Sequence, residues 1–464
     1  MFKTLINIFR VPELRNKVLF TLFMLMVYRV GYHVPIPGVD QEHFKQLAEQ
    51  QKQGGDTNAA TRIAQYVSLF SGGTLSQSTV FGLGVMPYIS ASIIFQLLGT
   101  VVPSLEKLQK EGETGRKKIQ EWTRYATIPL CVVQAAFYIT FMRSQHPPLV
   151  QTEFMYNSPA TFWIIGVFSM TAGCIFLMWL GEQIDEYGLG NGISLIILAG
   201  IVGRMPSAIF MLWEMTSVSG GDAAHPITPG HILILIGSFV FIVAGSILIT
   251  QAQRRIPVQQ AKLTRGRRVY GGTKQFLPLR VNHGGVMPII FAQSLMLFPG
   301  VLFGWLHGMF PNVGMFQFLN DEFKRGALIY ILTEVVMIYF FAYFWTTVQF
   351  QPKEMANQLR DYGSFIPGLR PGKRTADYLE KVMMRITYVG AAFLCIIAVI
   401  PTALNTWLKI PFQITAFLGG TGLLIVVSVA LDMVQRIEAN LLMRNYGGFL
   451  GGEGGTKRIK GRQY

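Results

Sequence analysis

Long apolar runs separated by short polar stretches set the pattern of this chain from end to end. Runs of roughly 18 to 22 residues recur near 18–36, 125–142, 161–181, 187–203, 231–250, 286–306, 327–348, 386–404 and 412–431, each about long enough to cross ~30 Å of hydrocarbon as a helix. A weaker tenth run occupies 79–102. The pattern predicts an all-α membrane protein. Composition agrees, with 51% hydrophobic and only 14% charged residues and a mean hydropathy of +0.38, and one polytopic domain suits these values better than several soluble ones.

Basic residues settle the number of spans, because positively charged loops stay cytoplasmic. With the N-terminus inside, 31 of the 40 Lys and Arg residues fall in the N-terminal segment, the even-numbered loops and the C-terminal tail; 8 fall outside, and Arg29 alone lies within a span. Without the run at 79–102, the strongly basic later loops would share a side with poorly charged ones, so ten transmembrane helices are expected with both termini cytoplasmic. The opening MFKTLINIFRVPELRNK lacks an apolar core followed by a cleavage site and reads as an interfacial segment over 1–17. Cys131, Cys174 and Cys395 all fall in spans at spacings that fit neither disulfides nor a metal, and are expected to be packing residues.

Catalytic chemistry finds no foothold. GLRPGKRT at 368–375 has Pro367 and Arg374 where a phosphate-binding loop needs Gly and Ser or Thr, and GLGNG at 188–192 lacks the third glycine of a dinucleotide site; the first reads as a basic turn, the second as a tight connection. The seven histidines are scattered, so neither a metal nor a cofactor is expected, and the chain reads as no enzyme. Glu334 is the clearest carboxylate inside a span. A single embedded acid is little for an ion-coupled carrier and reads first as a polar packing residue.

One repeat stands out. GVMPYISASIIFQLLG at 84–99 and GVMPIIFAQSLMLFPG at 285–300 share seven of sixteen positions without a gap. They open spans 2 and 7, the second member of each half if the chain divides into two sets of five. Five is odd, so the halves are inverted in the membrane. Equivalent Gly- and Pro-interrupted spans in inverted halves point to a pathway between the repeats, and Ser90, Ser92, Gln96, Gln293 and Ser294 would be awkward against lipid. Ahead of the first copy, FSGGTLSQSTVFGLG at 70–84 is too polar to cross lipid yet carries no charge, which suits a small segment that packs in a cavity and can leave it: a plug.

The stretches FSGGTLSQSTVFGLGVMPYISASII, KEGETGRKKIQEWTRY, FLMWLGEQIDEYGLGNGISLIILAGIV, LPLRVNHGGVMPIIFA and FIPGLRPGKRTADYLEKVMMRIT resemble the SecY family, the channel subunits of the bacterial Sec protein-conducting translocon. The resemblance implies ten helices in two inverted five-helix halves, 18–205 and 206–434, followed by a cytoplasmic tail at 435–464. It implies a lateral gate between spans 2 and 7, with Gly84, Pro87, Ser90, Gln96, Gly285, Pro288 and Gln293 as gate residues, and a plug near 64–76 that includes Phe70, Ser71, Gly72, Gly73, Thr74 and Leu75. It places a waist of aliphatic side chains at Val85, Ile89, Ile193, Ile197, Ile290 and Ile425.

The basic loops 251–285 and 349–385 carry more charge than topology needs. The resemblance assigns Arg254, Arg255, Lys262, Arg265, Arg267, Arg268, Arg360, Arg370, Lys373 and Arg374 to docking of the ribosome or the SecA motor ATPase, with attraction to anionic lipids as the plainer reading near the spans. SecE-like and SecG-like membrane subunits, signal sequences and nascent polypeptides are the further partners implied, in the bacterial plasma membrane. Two other readings compete: an inverted-repeat secondary transporter with a solute site between spans 2 and 7, and, more weakly, an insertase without a pore.

Overall fold

The computed structural model describes residues 12–39, 79–144, 159–217, 229–260, 263–265, 268–270, 274–310, 313–323, 326–408, 414–415 and 421–450. A helix lies in each of the ten predicted spans. They are α1 (Pro12–Gly31), α2 (Met86–Val101), α4 (Glu113–Ser144), α5 (Pro159–Tyr187), α6 (Gly192–Val202) continued by α7 (Met205–Ser217), α8 (Pro229–Gln251), α9 (Met287–Met309), α11 (Leu328–Gln349), α13 (Lys373–Leu408) and α14 (Thr421–Leu450). Three short helices lie between them: α3 (Pro103–Lys110), α10 (Gly314–Glu322) and α12 (Pro352–Asp361). Among the described residues, five helical segments are each long and apolar enough to cross a membrane, and α2 and α3 are so only together, bent by 103°.

The packing repeats between the halves. In the first, α1 packs on α5 and α6, α2 on α4, and α4 on α5; in the second, α8 packs on α13 and α14, α9 on α11, and α11 on α13. Span for span these are the same four contacts, shifted by five, which is how two inverted five-helix halves are built. The halves meet where α6 packs on α14. Large apolar side chains such as Leu233, Ile236 and Val240 on α8 and Leu328, Leu332, Val336 and Phe340 on α11 remain exposed, as a lipid solvent allows, since the tails are as apolar as they are.

Two features add detail to this helical plan. Span 2 is not helical over all of 79–102: residues 80–85 form turns and α2 begins at Met86. At 1.5 Å per residue, the 16 residues of α2 reach only about 24 Å, so the turns supply the rest of the crossing. Irregular backbone at that depth needs protein partners. It has them: the Val80 N–H donates to Val34 O (3.0 Å), Pro35 bridges Thr79, and Gly173 of α5 lets the Val80 carbonyl approach so closely that a Cβ there would sit 2.2 Å from it.

Nor is the chain purely helical. The basic loop after α8 forms a long hairpin, β1 (Gln253–Gln260) against β4 (Lys274–Arg280), with β2 (Leu263–Arg265) and β3 (Arg268–Tyr270) pairing at its tip. Strand β5 (Ser364–Phe365), from the next basic loop, adds to the far end of β1. Ile256 and Val258 alternate inward on β1 while Arg255 and Pro257 face out, and Pro257 is tolerated because β5 covers only Gln259 and Gln260 of that edge.

Candidate functional site

The repeated motif builds the same local structure twice. Gly84 and Gly285 both stand at φ +57°, a left-handed conformation that costs a side chain about 1–2 kcal/mol. Val85 and Val286 follow as N-caps, and Pro87 and Pro288 take the second helical position, where a missing N–H leaves no bond unmade. Ile89 and Ile290 then donate their N–H groups to Val85 O (3.1 Å) and Val286 O (3.2 Å), closing the first turn of each helix. Gly and Pro therefore start α2 and α9 instead of interrupting them; the proline inside α9 is Pro299.

Between α5 and α6 the tight connection is stapled from three sides. The Gly192 N–H donates to Asp185 Oδ1 (2.7 Å), the Ser194 N–H to the N-cap Asn191 Oδ1 (3.0 Å), and the Leu189 N–H to Thr21 Oγ1 of α1 (3.0 Å). Gly190 takes φ +107°. The two helices approach so tightly that a Cβ on Gly192 would lie 1.9 Å from the Gly181 carbonyl oxygen. This connection fixes the rotation of α6 and thereby the direction of Ile193 and Ile197.

All six waist candidates come together. Val85, Ile89, Ile197, Ile290 and Ile425 are buried in one cluster, and Ile193 packs against it partly exposed. They arrive from α2, α6, α9 and α14, so both halves contribute. Tyr28, Phe81, Leu177, Leu180, Ile184, Leu195 and Ile201 back them, with Phe81 stacked on Tyr28 (4°, 6.4 Å) and Phe176 (15°, 5.8 Å). The sequence reading missed this supporting shell; the aromatic at 81, one turn of chain ahead of the motif, was its visible signal.

The polar gate candidates sit lower in burial. Ser90, Gln96 and Gln293 are half-buried, Pro87 and Pro288 are buried, and the Gln293 side-chain amide donates to Glu334 Oε1 (3.4 Å). Glu334 is 2% exposed, a packing residue that holds α9 on α11. Thr387 donates to Thr346 (3.1 Å) below it. In the turn leading into α9, Asn282 donates to Gly285 O (2.9 Å), and burial holds the neighbouring His283 below the ordinary imidazole range, with the Arg280 charge adding to the effect and a backbone hydrogen bond at Arg280 opposing it.

The two basic loops prove to be one structural unit. Ile256, Val258 and Leu279 of the hairpin, Phe350, Ile366 and Leu379, Met383 and Ile386 of α13 form a separate core at the base of the second half. Arg254, Arg255, Arg360, Arg370, Lys373 and Arg374 are all exposed around it. Arg265 and Arg268 pair across the hairpin tip; Lys262 and Arg267 lie outside the described residues. At 366–375, Gly368 (φ +84°) and Gly372 (φ +113°) turn the chain and Thr375 donates to Arg370 O (2.9 Å), the basic turn expected of GLRPGKRT.

Comparison with known proteins decides the family. The SecY family model matches residues 79–434. The chain is 38% identical over 454 residues to the protein translocase subunit SecY of Thermotoga maritima, covering 97% of this chain and 98% of that one. It is 41% identical over 440 residues to that of Aquifex aeolicus, covering 95% and 97%. The chain belongs to the SecY family.

Solved structures carry the same fold. One described as a protein conducting channel superposes with a TM-score of 0.60 at 19% identity, over 94% of each chain; Sec61 in a canine ribosome-channel complex gives 0.57 at 18% identity, again over 94% of each. As a member of the SecY family the chain is a multi-pass membrane protein with a protein-conducting role, and the solute-carrier reading finds no support. The plug candidates Phe70, Ser71, Gly72, Gly73, Thr74 and Leu75 lie outside the described residues.

Proposed function

We propose that the chain is the pore-forming subunit of a preprotein translocase in the bacterial plasma membrane, with both termini cytoplasmic. It passes unfolded polypeptides through a waist made of Val85, Ile89, Ile193, Ile197, Ile290 and Ile425, and releases apolar helices sideways between α2 and α9. The observation that carries this reading is the shared burial of equivalent residues from the two repeats, Ile89 and Ile290, in one aliphatic cluster.

An aliphatic constriction holds water and ions poorly because its walls offer no hydrogen bonds, yet such side chains can conform around an extended chain of any sequence. The residues 70–75 supply the plug that backs up the seal at rest. Sideways release sorts by partitioning: an apolar segment gains free energy on leaving a wet pore for lipid, and a charged one does not. Half-buried Ser90 and Gln96 on α2 and Gln293 on α9 keep these two helices from presenting a wholly apolar surface when they part. A photo-crosslinker at position 89 or 290 is expected to capture a stalled nascent chain, and one at position 94, on the exposed side of α2, is not. Equal labelling at both would defeat the pathway.

Nothing in this pathway hydrolyses a bond, so the driving force comes from a partner. Exposed basic residues on the hairpin and on the helices and turn packed around it suit phosphate contacts, which give affinity without sequence readout, and they fit a translating ribosome or the SecA motor; SecE-like and SecG-like subunits and anionic lipids complete the set. Reversing Arg255 and Arg370 to Glu is expected to weaken ribosome or motor binding at least about tenfold, with a shallower salt dependence, while the thermal midpoint of the channel stays unchanged. Binding that survives would remove the docking role from these loops.

A further inference from the structure

Helix α10, GMFQFLNDE, lies between α9 and α11 in sequence and packs on both. It has no buried residue, although Met315, Phe316, Phe318 and Leu319 fall on one arc of its surface, which Glu322 joins at the helix's last position, and Gln317, Asn320 and Asp321 fall on the opposite one. Phe316 lies tilted against Phe310 (6.1 Å, 37°). Met315 and Phe318 are 61% and 56% exposed, and Met309, Phe310 and Val313 just before them are exposed too. In water, five large apolar side chains clustered on one short helix and its approach would be costly, at roughly 1.5–3 kcal/mol for each one fully withdrawn from solvent.

The surface they join is not a water-facing one. Leu328, Leu332, Val336 and Phe340 run along α11 at intervals of four residues, all exposed, the stripe that a membrane-spanning helix turns to lipid, and α10 packs against the end of α11 from which that stripe starts. We propose that α10 is an interfacial helix, with Met315 and Phe318 inserted among the lipids of the outer leaflet and the exposed Gln317 and Asp321 toward the headgroups and water. Continuity with the lipid-facing stripe selects lipid over a second copy or another protein as the occupant. A short helix with an apolar and a polar face is the form such seats take.

Its attachment gives the seat a consequence. Phe323, which caps α10, packs on Phe303 of α9 with ring centroids 5.0 Å apart, so α10 is tied to the outer end of the same helix whose first turn carries Ile290. A helix held at the bilayer surface resists moving along the membrane normal but slides freely in its plane. It therefore restricts α9 to sideways displacement, the direction in which a lateral gate opens. The assignment to the outer leaflet rests on the proposed topology; the lipid seat itself does not.

The test uses the full chain in liposomes, with nitroxide labels on Met315→Cys, Gln317→Cys, Phe318→Cys and Asp321→Cys, and the parent chain with its three buried cysteines as background. Labels at 315 and 318 are expected to collide with oxygen severalfold more than with a water-soluble nickel chelate, and labels at 317 and 321 to show the reverse. Equal nickel access at all four positions, or shielding of 318 from both reagents, would overturn the proposal. An impermeant reductant added outside reads the topology separately: a lipid-seated label protected from it on an inward-facing surface would overturn the outer-leaflet assignment while leaving the seat.

Discussion

Replacing Ile89 and Ile290 together with Asn is expected to raise the resting ion conductance of the reconstituted channel by about tenfold or more. A barrier lowered by ~1.4 kcal/mol speeds passage tenfold, and amide side chains supply the hydrogen bonds that a dewetted constriction lacks. Both positions are buried in the cluster that α2, α6, α9 and α14 share, so the substitutions place polar groups in the proposed waist from both halves at once. Each single replacement leaves the other half's aliphatic surface in place and is expected to give a smaller rise. The control is Ile94→Asn, on the exposed side of α2, which leaves conductance unchanged. If the double variant conducts no more than the parent, the cluster is ordinary helix packing and no waist.

The helices were legible because lipid demands length and apolarity in a form that a single run displays. The repeat was legible because Gly and Pro in the same order are not hydrophobic filler, and the structure gives the reason in two glycines at φ +57°. What the motif does locally was not legible. Gly84 and Pro87 could equally have kinked a longer helix, and only the hydrogen bonds from Val80 to Val34 and from Ile89 to Val85 separate a helix start from a kink. The waist is a different case: Ile89 is one aliphatic residue among many, and its partners on α6 and α14 lie more than a hundred residues away. The hairpin β1–β4 escaped notice for a related reason. Its strands alternate, as in RRIPV, but β5, which completes the sheet, has only two residues and comes from the next loop.

Gly192→Ala is expected to be among the most damaging single-methyl changes in the protein, although helix propensity argues the other way. At the first turn of α6 an alanine is intrinsically better than glycine by up to about 1 kcal/mol. The added Cβ, however, would lie 1.9 Å from the carbonyl oxygen of Gly181, and backbone on a packed helix cannot step aside as a flexible side chain would. Overpacking of this kind costs roughly 1–3 kcal/mol or more, so the collision outweighs the propensity gain. Relief requires α6 to move off α5, which breaks the bond from Gly192 to Asp185 and swings Ile193 and Ile197 out of the cluster. The expected result is a lower thermal midpoint in detergent together with a raised resting conductance. Gly285→Ala makes the contrast sharp: a Cβ there meets open space, so only the strain at φ +57°, about 1–2 kcal/mol, opposes it, and α6 keeps its place. Should Gly192→Ala melt with the parent and stay closed, the connection at 188–192 does not set the position of the waist, and α6 is held by its contacts with α1 and α14 instead.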